Sequence, residues 1–166
     1  MMPLSTPLGN LDPSSTMFSV FVYGSLLPGL HNHILIRHAE CIGDGEISGV
    51  LFSMGAFPAI VPLRFFKDKT LTNTVKGKVY QVDRDTMSDL DTLEGYTPGS
   101  HSNLYDRAIV PVHMKSGSTL DAFVYQASHY IVSNIAQGQN PIVPEGDWAT
   151  YARHYVTPAM VKHQRS

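Results

Sequence analysis

The chain has 166 residues, of which 43% are hydrophobic and 16% are charged, and its formal net charge is −2. This length is typical of one domain, and the low charge excludes a highly charged disordered polymer. Basic residues are concentrated nowhere and a single cysteine, Cys41, is present, which argues against a nucleic-acid-binding arm, an internal disulfide and a cysteine-rich metal site.

The N-terminal residues 1–16 contain three Pro, several Ser and Thr, and no Lys or Arg. A signal peptide requires a positively charged start, and a membrane span requires about 20 mostly apolar residues. Neither pattern is present here. We therefore expect a flexible arm over residues 1–16, a single domain over residues 17–166, a cytoplasmic location, and no membrane or nucleic-acid partner.

The first half of the chain predicts strands separated by breaks. Residues 18–23 are β-branched and aromatic and end at Gly24, which predicts a buried first strand. Gly55, Pro58 and Pro62 interrupt the region that follows, which predicts a loop there. The remaining predicted elements are a short helix over 30–39, strands over 46–52 and 75–82, and that loop over 53–62.

The clearest predicted helix covers residues 84–94. Asp83 or Asp85 can cap its N-terminus, because a carboxylate accepts hydrogen bonds from the first free backbone N–H groups. Gly95 supplies the left-handed residue that commonly closes a helix. One apolar stripe follows the helical spacing, formed by Met87, Leu90 and Leu93.

The second half of the chain predicts a hairpin of strands 105–114 and 120–125, joined by a turn at 115–118. After Gln126 the chain is polar and interrupted by prolines, and a short helix is predicted only over 147–155. Strands outnumber helices and are joined mostly by turns. These features predict an α+β fold, with a mixed or antiparallel sheet curled toward a compact barrel with a few short helices.

Two places in the sequence are candidates for chemistry. The segment Tyr23-Gly24-Ser25-Leu26 ends the first strand, where glycine lets a ligand approach backbone N–H groups that can hold a carboxylate or an oxyanion. The other interpretation is an ordinary tight turn. Glu94 lies in the last helical turn, where a carboxylate is slightly unfavourable, so it is either a surface residue or a group kept for acid–base work.

Eight histidines raise the question of a metal. None of them lies in a His-Glu-x-x-His motif or a Cys/His array, so the sequence predicts no metal and no cofactor. Arg107 follows Tyr105 on one strand face by the period of two, and it is assigned no catalytic role because an acidic neighbour can pair with it.

Several motifs, in order over about residues 18–155, resemble the γ-glutamylcyclotransferase-like superfamily, which includes γ-glutamylamine cyclotransferases and AIG2-like proteins. The block Leu-Asp-Thr-Leu-Glu-Gly-Tyr at 90–96 resembles the block that carries the family's catalytic glutamate. The other matching motifs are Phe-Val-Tyr-Gly-Ser-Leu-Leu-Pro-Gly at 21–29 with Asn32-His33, Ala-Phe-Pro-Ala-Ile-Val at 56–61, Val-Lys-Gly-Lys-Val-Tyr at 75–80, Tyr-Asp-Arg at 105–107, Ala-Phe-Val-Tyr at 122–125 and Gly-Asp-Trp at 146–148.

This resemblance implies a compact mixed α+β barrel and a cofactor-independent enzyme, of a transferase or lyase type. It implies that a γ-glutamyl amine or γ-glutamyl amino acid is converted to 5-oxoproline and a free amine. Glu94 is then the general base and acid, and the substrate-binding residues are Tyr23, Gly24, Ser25, Leu26, Tyr105 and Tyr125.

Two other functions stay open at this point. One is a non-catalytic module on the same fold that binds a γ-glutamyl ligand or a partner. The other is a hydrolase with Ser25 as nucleophile, although the Gly-x-Ser-x-Gly motif of a nucleophile elbow is absent. The identity of the leaving amine and the oligomeric state are open as well.

Overall fold

The computed structural model describes residues 16–162, and its centre is a closed barrel of five strands. The strands follow the order β1, β5, β2, β6, β7 around the barrel. Neighbours pair antiparallel except β1 and β7, which pair in parallel and close the barrel. The α+β mixed-barrel prediction is confirmed. The strands are β1 (Met17–Val22), β2 (Glu40–Ser48), β5 (Thr74–Asp83), β6 (Tyr105–Met114) and β7 (Thr119–Ala127).

A separate two-stranded sheet corrects two predictions from the sequence. The expected strand over 46–52 is divided, because β2 ends at Ser48 and β3 (Val50–Ser53) begins after Gly49, whose φ is +154°. The expected loop over 53–62 contains β4 (Pro58–Val61), which pairs antiparallel with β3. Proline is tolerated at the first residue of a strand, so Pro58 begins the strand instead of excluding it.

Helix α1 (Arg84–Glu94) has the predicted bounds. Asp83 is its N-cap, since its Oδ1 accepts a hydrogen bond of 2.8 Å from the Thr86 N–H. Gly95 closes it in the left-handed region with φ +68°. The cap therefore places Glu94 at the last residue of the helix, directly before a turn that glycine stabilises.

Three further α-helices follow β7. The prediction of a short helix over residues 30–39 is wrong. That segment consists of turns with one 3-10 turn at His33–Leu35, because the Asn32 N–H donates to the Ser25 carbonyl and not to a carbonyl one helical turn before it. The side chain of Asn32 and the ring of His33 also bond to Ser25 and Leu26. The segment after Gln126, expected to be irregular, forms a helix capped by Ser128. The helices are α2 (His129–Gln137), α3 (Trp148–Tyr155), which confirms the prediction over 147–155, and α4 (Pro158–Lys162).

Two apolar clusters lie on opposite faces of the barrel wall, as the strand period of two requires. One includes Phe21 and Val79 of the wall and Trp148 of α3. The other includes Tyr125 of the wall and Leu90 of α1. The domain assignment for residues 17–166 and the arm over 1–16 extend outside the described residues. Within 16–162, no helix is long and apolar enough to cross a membrane.

Candidate active site

A cavity of about 290 Å³ lies at the C-terminal end of α1, between the segment that follows β1 and strands β6 and β7. Apolar side chains, among them Phe57, Leu104 and Ile131, form much of its wall. The structure brings together every residue that the sequence predicted for a site. These residues are Tyr23, Gly24, Ser25, Leu26, Glu94, Tyr105 and Tyr125.

The segment 23–26 is held as a turn from two sides. The Leu27 N–H donates to the Gly24 carbonyl at 3.0 Å, and a Cβ on Gly24 would lie 2.9 Å from the ring of Pro58, so only glycine fits there. Asn32 donates from its backbone N–H to the Ser25 carbonyl and from its side chain to Ser25 Oγ, at 3.0 and 2.8 Å. Because Ser25 Oγ accepts from Asn32, its own hydrogen can be donated to a ligand.

Glu94 carries the one carboxylate among the described residues that line this cavity, and its side chain is half-buried. The charge of Glu94 raises the pKa of two tyrosines. Burial raises the pKa of Tyr23 well above its usual value, and the charge of Glu94 raises it further. Burial is also the main cause that raises the pKa of Tyr125, with Asp91 next and Glu94 contributing. The carboxylate of Glu94 at the end of α1 is therefore close enough to two phenols to raise their pKa, and both phenols stay protonated at neutral pH.

Each of the three cavity tyrosines donates its hydroxyl hydrogen to a protein acceptor. Tyr23 donates to the carbonyl of Tyr125 at 2.5 Å, and Tyr105 donates to the carbonyl of Pro58 at 2.8 Å. Tyr125 donates to Asp91 Oδ1 at 2.7 Å. These bonds tie β7, β4 and α1 to the residues around the cavity.

The acidic neighbour of Arg107 is Asp91, on the same helix as Glu94. Arg107 Nη1 lies 2.9 Å and 2.8 Å from the two carboxylate oxygens of Asp91. The guanidinium also lies over the rings of Tyr96 and Phe123, at 4.9 and 5.0 Å from their centroids. Arg107 is the register partner of Tyr125 across β6 and β7, so both side chains reach Asp91 together.

Sequence reasoning gave no role to Asp91 or Asn32. Asp91 stands three residues before Glu94, a spacing that places both carboxylates on one helix face, and this signal was available. Asn32 was visible only as part of a motif, because its contact with Ser25 depends on turns that the sequence does not specify.

A second cavity of about 560 Å³ lies outside the barrel against β2, β5 and β6. Its charged lining includes Lys76, Lys78 and Asp44, and Lys78 pairs with Asp44. None of the predicted site residues lines it. The smaller cavity is the better candidate, because it combines an apolar enclosure with a carboxylate and a glycine-containing loop.

The mixed barrel thus carries, at the end of α1, a mostly apolar cavity with one carboxylate among its described lining residues. The model of a protein family described as gamma-glutamyl cyclotransferase, AIG2-like, matches residues 20–150. The chain belongs to this family, and membership indicates an activity of the gamma-glutamylcyclotransferase type.

Named relatives agree with this family, and a solved structure agrees with the fold. A Vibrio cholerae protein, provisionally named as a gamma-glutamylcyclotransferase, is 28% identical over 137 residues, covering 78% of this chain and 93% of that protein. The gamma-L-glutamyl-butirosin B gamma-glutamyl cyclotransferase of Niallia circulans is 29% identical over 140 residues, covering 81% and 78%. The crystal structure of a mouse AIG2-like protein has a TM-score of 0.62 at 23% identity, covers 84% of this chain and 93% of that protein, and supports the fold.

Proposed function

We propose that this protein is a cofactor-independent cyclotransferase that converts a γ-glutamyl amine or γ-glutamyl amino acid to 5-oxoproline and the free amine, with Glu94 as the general base and acid. The observation that carries the proposal is Glu94, the one carboxylate among the described residues of a cavity that the segment 23–26 also lines. Family membership supports the reaction type, and the Niallia circulans relative is named as a cyclotransferase of gamma-L-glutamyl-butirosin B.

The reaction is an intramolecular acyl transfer. The carboxylate of Glu94 takes a proton from the substrate's α-ammonium group, and the freed amine attacks the γ-carbonyl carbon. A tetrahedral oxyanion forms as the new C–N bond closes a five-membered ring. Protonated Glu94 gives this proton to the leaving nitrogen as the bond from that nitrogen to the γ-carbon breaks. The Glu94 carboxylate then takes the second proton from the ring nitrogen and passes it to the released amine. The products are 5-oxoproline and the amine, and no water is consumed.

The segment 23–26 is the proposed holder of the γ-glutamyl group. Backbone N–H groups at a turn can stabilise a developing oxyanion, and Ser25 has a hydroxyl hydrogen to donate. Gly24 fits against Pro58 without a side chain, so the backbone of the segment can stay close to a ligand. A small cavity also holds the flexible substrate in a bent form, which contributes the orientation effect that ring closure needs.

A product analysis with a matched pair of variants tests the proposal. Wild type, Glu94→Gln and Asp89→Asn are incubated with a panel of γ-glutamyl amines and γ-glutamyl amino acids, and 5-oxoproline is measured by mass spectrometry against an enzyme-free blank. Asp89 is exposed on the same helix, so its variant makes the same charge change outside the cavity. We expect Glu94→Gln to lower kcat by about 10²–10⁴-fold, the usual contribution of a general base, and Asp89→Asn to match wild type.

The result also separates the two alternative functions. If Glu94→Gln turns over substrate at the wild-type rate, the assignment of Glu94 as the base is refuted. A non-catalytic module would bind γ-glutamyl compounds, seen as a ligand-induced thermal shift, and form no 5-oxoproline above the blank. A Ser25 hydrolase would release free glutamate through a covalent acyl-enzyme, which the same mass spectra would detect.

A further inference from the structure

The hydroxyl groups of the cavity tyrosines have a fixed direction of hydrogen bonding. A backbone carbonyl and an ionised carboxylate can only accept, so Tyr23, Tyr105 and Tyr125 must be the donors in their bonds to Tyr125 O, Pro58 O and Asp91 Oδ1. A phenol has one hydrogen. Each hydroxyl therefore donates its hydrogen to a protein acceptor, and its oxygen can only accept a further hydrogen bond.

Among the three tyrosines, Tyr125 is the one whose hydroxyl donates to a charged acceptor. Asp91 accepts its hydrogen at 2.7 Å, and Arg107 fixes the same carboxylate through contacts with both of its oxygens. The rings of Tyr96 and Phe123 in turn hold the guanidinium. Because the partner is ionised, reversing the Tyr125 hydroxyl would cost a charge-assisted hydrogen bond.

Other residues of the cavity lining have the complementary polarity. Ser25 Oγ accepts from Asn32 and can donate, and residues 24–26 line the cavity with it. Donors of this segment suit the carboxylate and carbonyl oxygens of a γ-glutamyl group. Tyr125 and Glu94 line the same cavity, and the charge of Glu94 acts on Tyr125. Their acceptor oxygens suit the ammonium group of the ligand, which has three N–H donors and no acceptor.

We propose that the Tyr125 hydroxyl oxygen, aimed by Asp91, accepts a hydrogen bond from the substrate's α-ammonium group beside Glu94. Tyr125 is then a substrate-binding residue for the ammonium, and Asp91 is a positioning residue that acts through it. When Glu94 takes one ammonium proton, the bond from a remaining N–H to Tyr125 holds the amine in place for attack. This inference rests on the proposed function for the identity of the ligand.

A matched pair of ligands tests the inference by binding, in NMR spectra recorded before any 5-oxoproline signal appears. L-glutamine carries the α-ammonium group, and glutaramate is the same molecule without it and cannot cyclise. Dissociation constants are measured by NMR titration for wild type, Tyr125→Phe, Asp91→Ala, Asp91→Asn and the control Tyr130→Phe. Tyr130 is exposed on α2, outside the cavity.

We expect wild type to prefer L-glutamine, and Tyr125→Phe to weaken L-glutamine by about tenfold or more, the usual effect of losing a hydrogen bond to a charged group. Glutaramate binding should not change, which also shows that the variant is folded. Asp91→Ala frees the Tyr125 hydrogen and should reduce the preference. Asp91→Asn keeps an acceptor for that hydrogen and should retain the preference, as should Tyr130→Phe.

Equal weakening of both ligands in Tyr125→Phe, or an unchanged preference in Asp91→Ala, would overturn the inference. Asp91→Ala still decides the test if Tyr125→Phe does not fold. Failure of the proposed function is distinguishable, because it would appear as the absence of 5-oxoproline while the ligand preference follows Tyr125 and Asp91. If wild type forms 5-oxoproline and the preference for L-glutamine over glutaramate is the same in Tyr125→Phe, this inference alone is refuted.

Discussion

Replacing Arg107 by Met removes the cation of the Asp91–Arg107 pair, so the carboxylate of Asp91 loses its charged partner. The two side chains are 19% and 21% exposed, so solvent replaces the lost interaction only in part. Methionine retains an apolar chain that can still contact the rings of Tyr96 and Phe123. The substitution therefore tests the charge of Arg107 more than its volume.

The size of the effect follows from the contacts that are lost. Hydrogen bonds to charged groups contribute about 1.5–3 kcal/mol, and each cation–π contact contributes about 0.5–1 kcal/mol at a site of this exposure. Methionine's contacts with the two rings offset part of the second contribution. We expect a loss of about 2–4 kcal/mol in the free energy of unfolding, which lowers Tm by about 5–12 °C in a domain of this length.

Urea denaturation followed by circular dichroism measures the effect, with Lys78→Met as the matched control. Lys78 and Asp44 also form an ion pair, but their side chains are 33% and 51% exposed, so its loss should cost less than about 1 kcal/mol. An equal loss in the two variants would show that the half-burial of Arg107 and Asp91 adds nothing, and would refute the reasoning.

Two further predictions concern packing and pH. Gly77→Ala places a Cβ against the carbonyl oxygen of Val22 and the ring of Phe21, and should destabilise the fold by about 1–3 kcal/mol in the same denaturation assay. Burial, with a contribution from the charge of Glu94, raises the pKa of Tyr23 well above its usual value, so the unfolded chain releases that proton near pH 10 and the native state keeps it. Its contribution to stability is therefore complete below about pH 10 and is lost as the pH rises further. Unfolding free energies from pH 9 to 11.5 should fall less steeply for Tyr23→Phe than for wild type, and an unchanged slope would contradict this assignment.

Elements with local signals were predictable from the sequence. The bounds of α1 follow from a capping carboxylate at Asp83 and a left-handed residue at Gly95, both of which act within a few residues. The hairpin of β6 and β7 follows from its alternation and turn in the same way. The family motifs also placed Glu94 and the segment 23–26 in one candidate site, and the structure brings them to one cavity.

The wrong predictions depend on contacts made across the chain. The sequence predicts a short helix over 30–39, but the Asn32 N–H and the side chains of Asn32 and His33 bond to the segment 23–26. The strand β4 exists because β3 pairs with it, which the local sequence around Pro58 does not indicate. The spacing of Asp91 from Glu94 indicated only a shared helix face, and the partners that give Asp91 its position lie across the chain on β6 and β7.

Product analysis in water enriched with ¹⁸O tests the central claim most directly. Wild-type protein is incubated with a γ-glutamyl amine, and the mass spectra of all products are recorded against an enzyme-free blank. Intramolecular attack by the α-amine predicts 5-oxoproline without label, released together with an equal amount of free amine, and no glutamate. Glutamate that carries one ¹⁸O atom would mean that water attacks the γ-carbonyl, and would contradict the proposed cyclotransferase reaction.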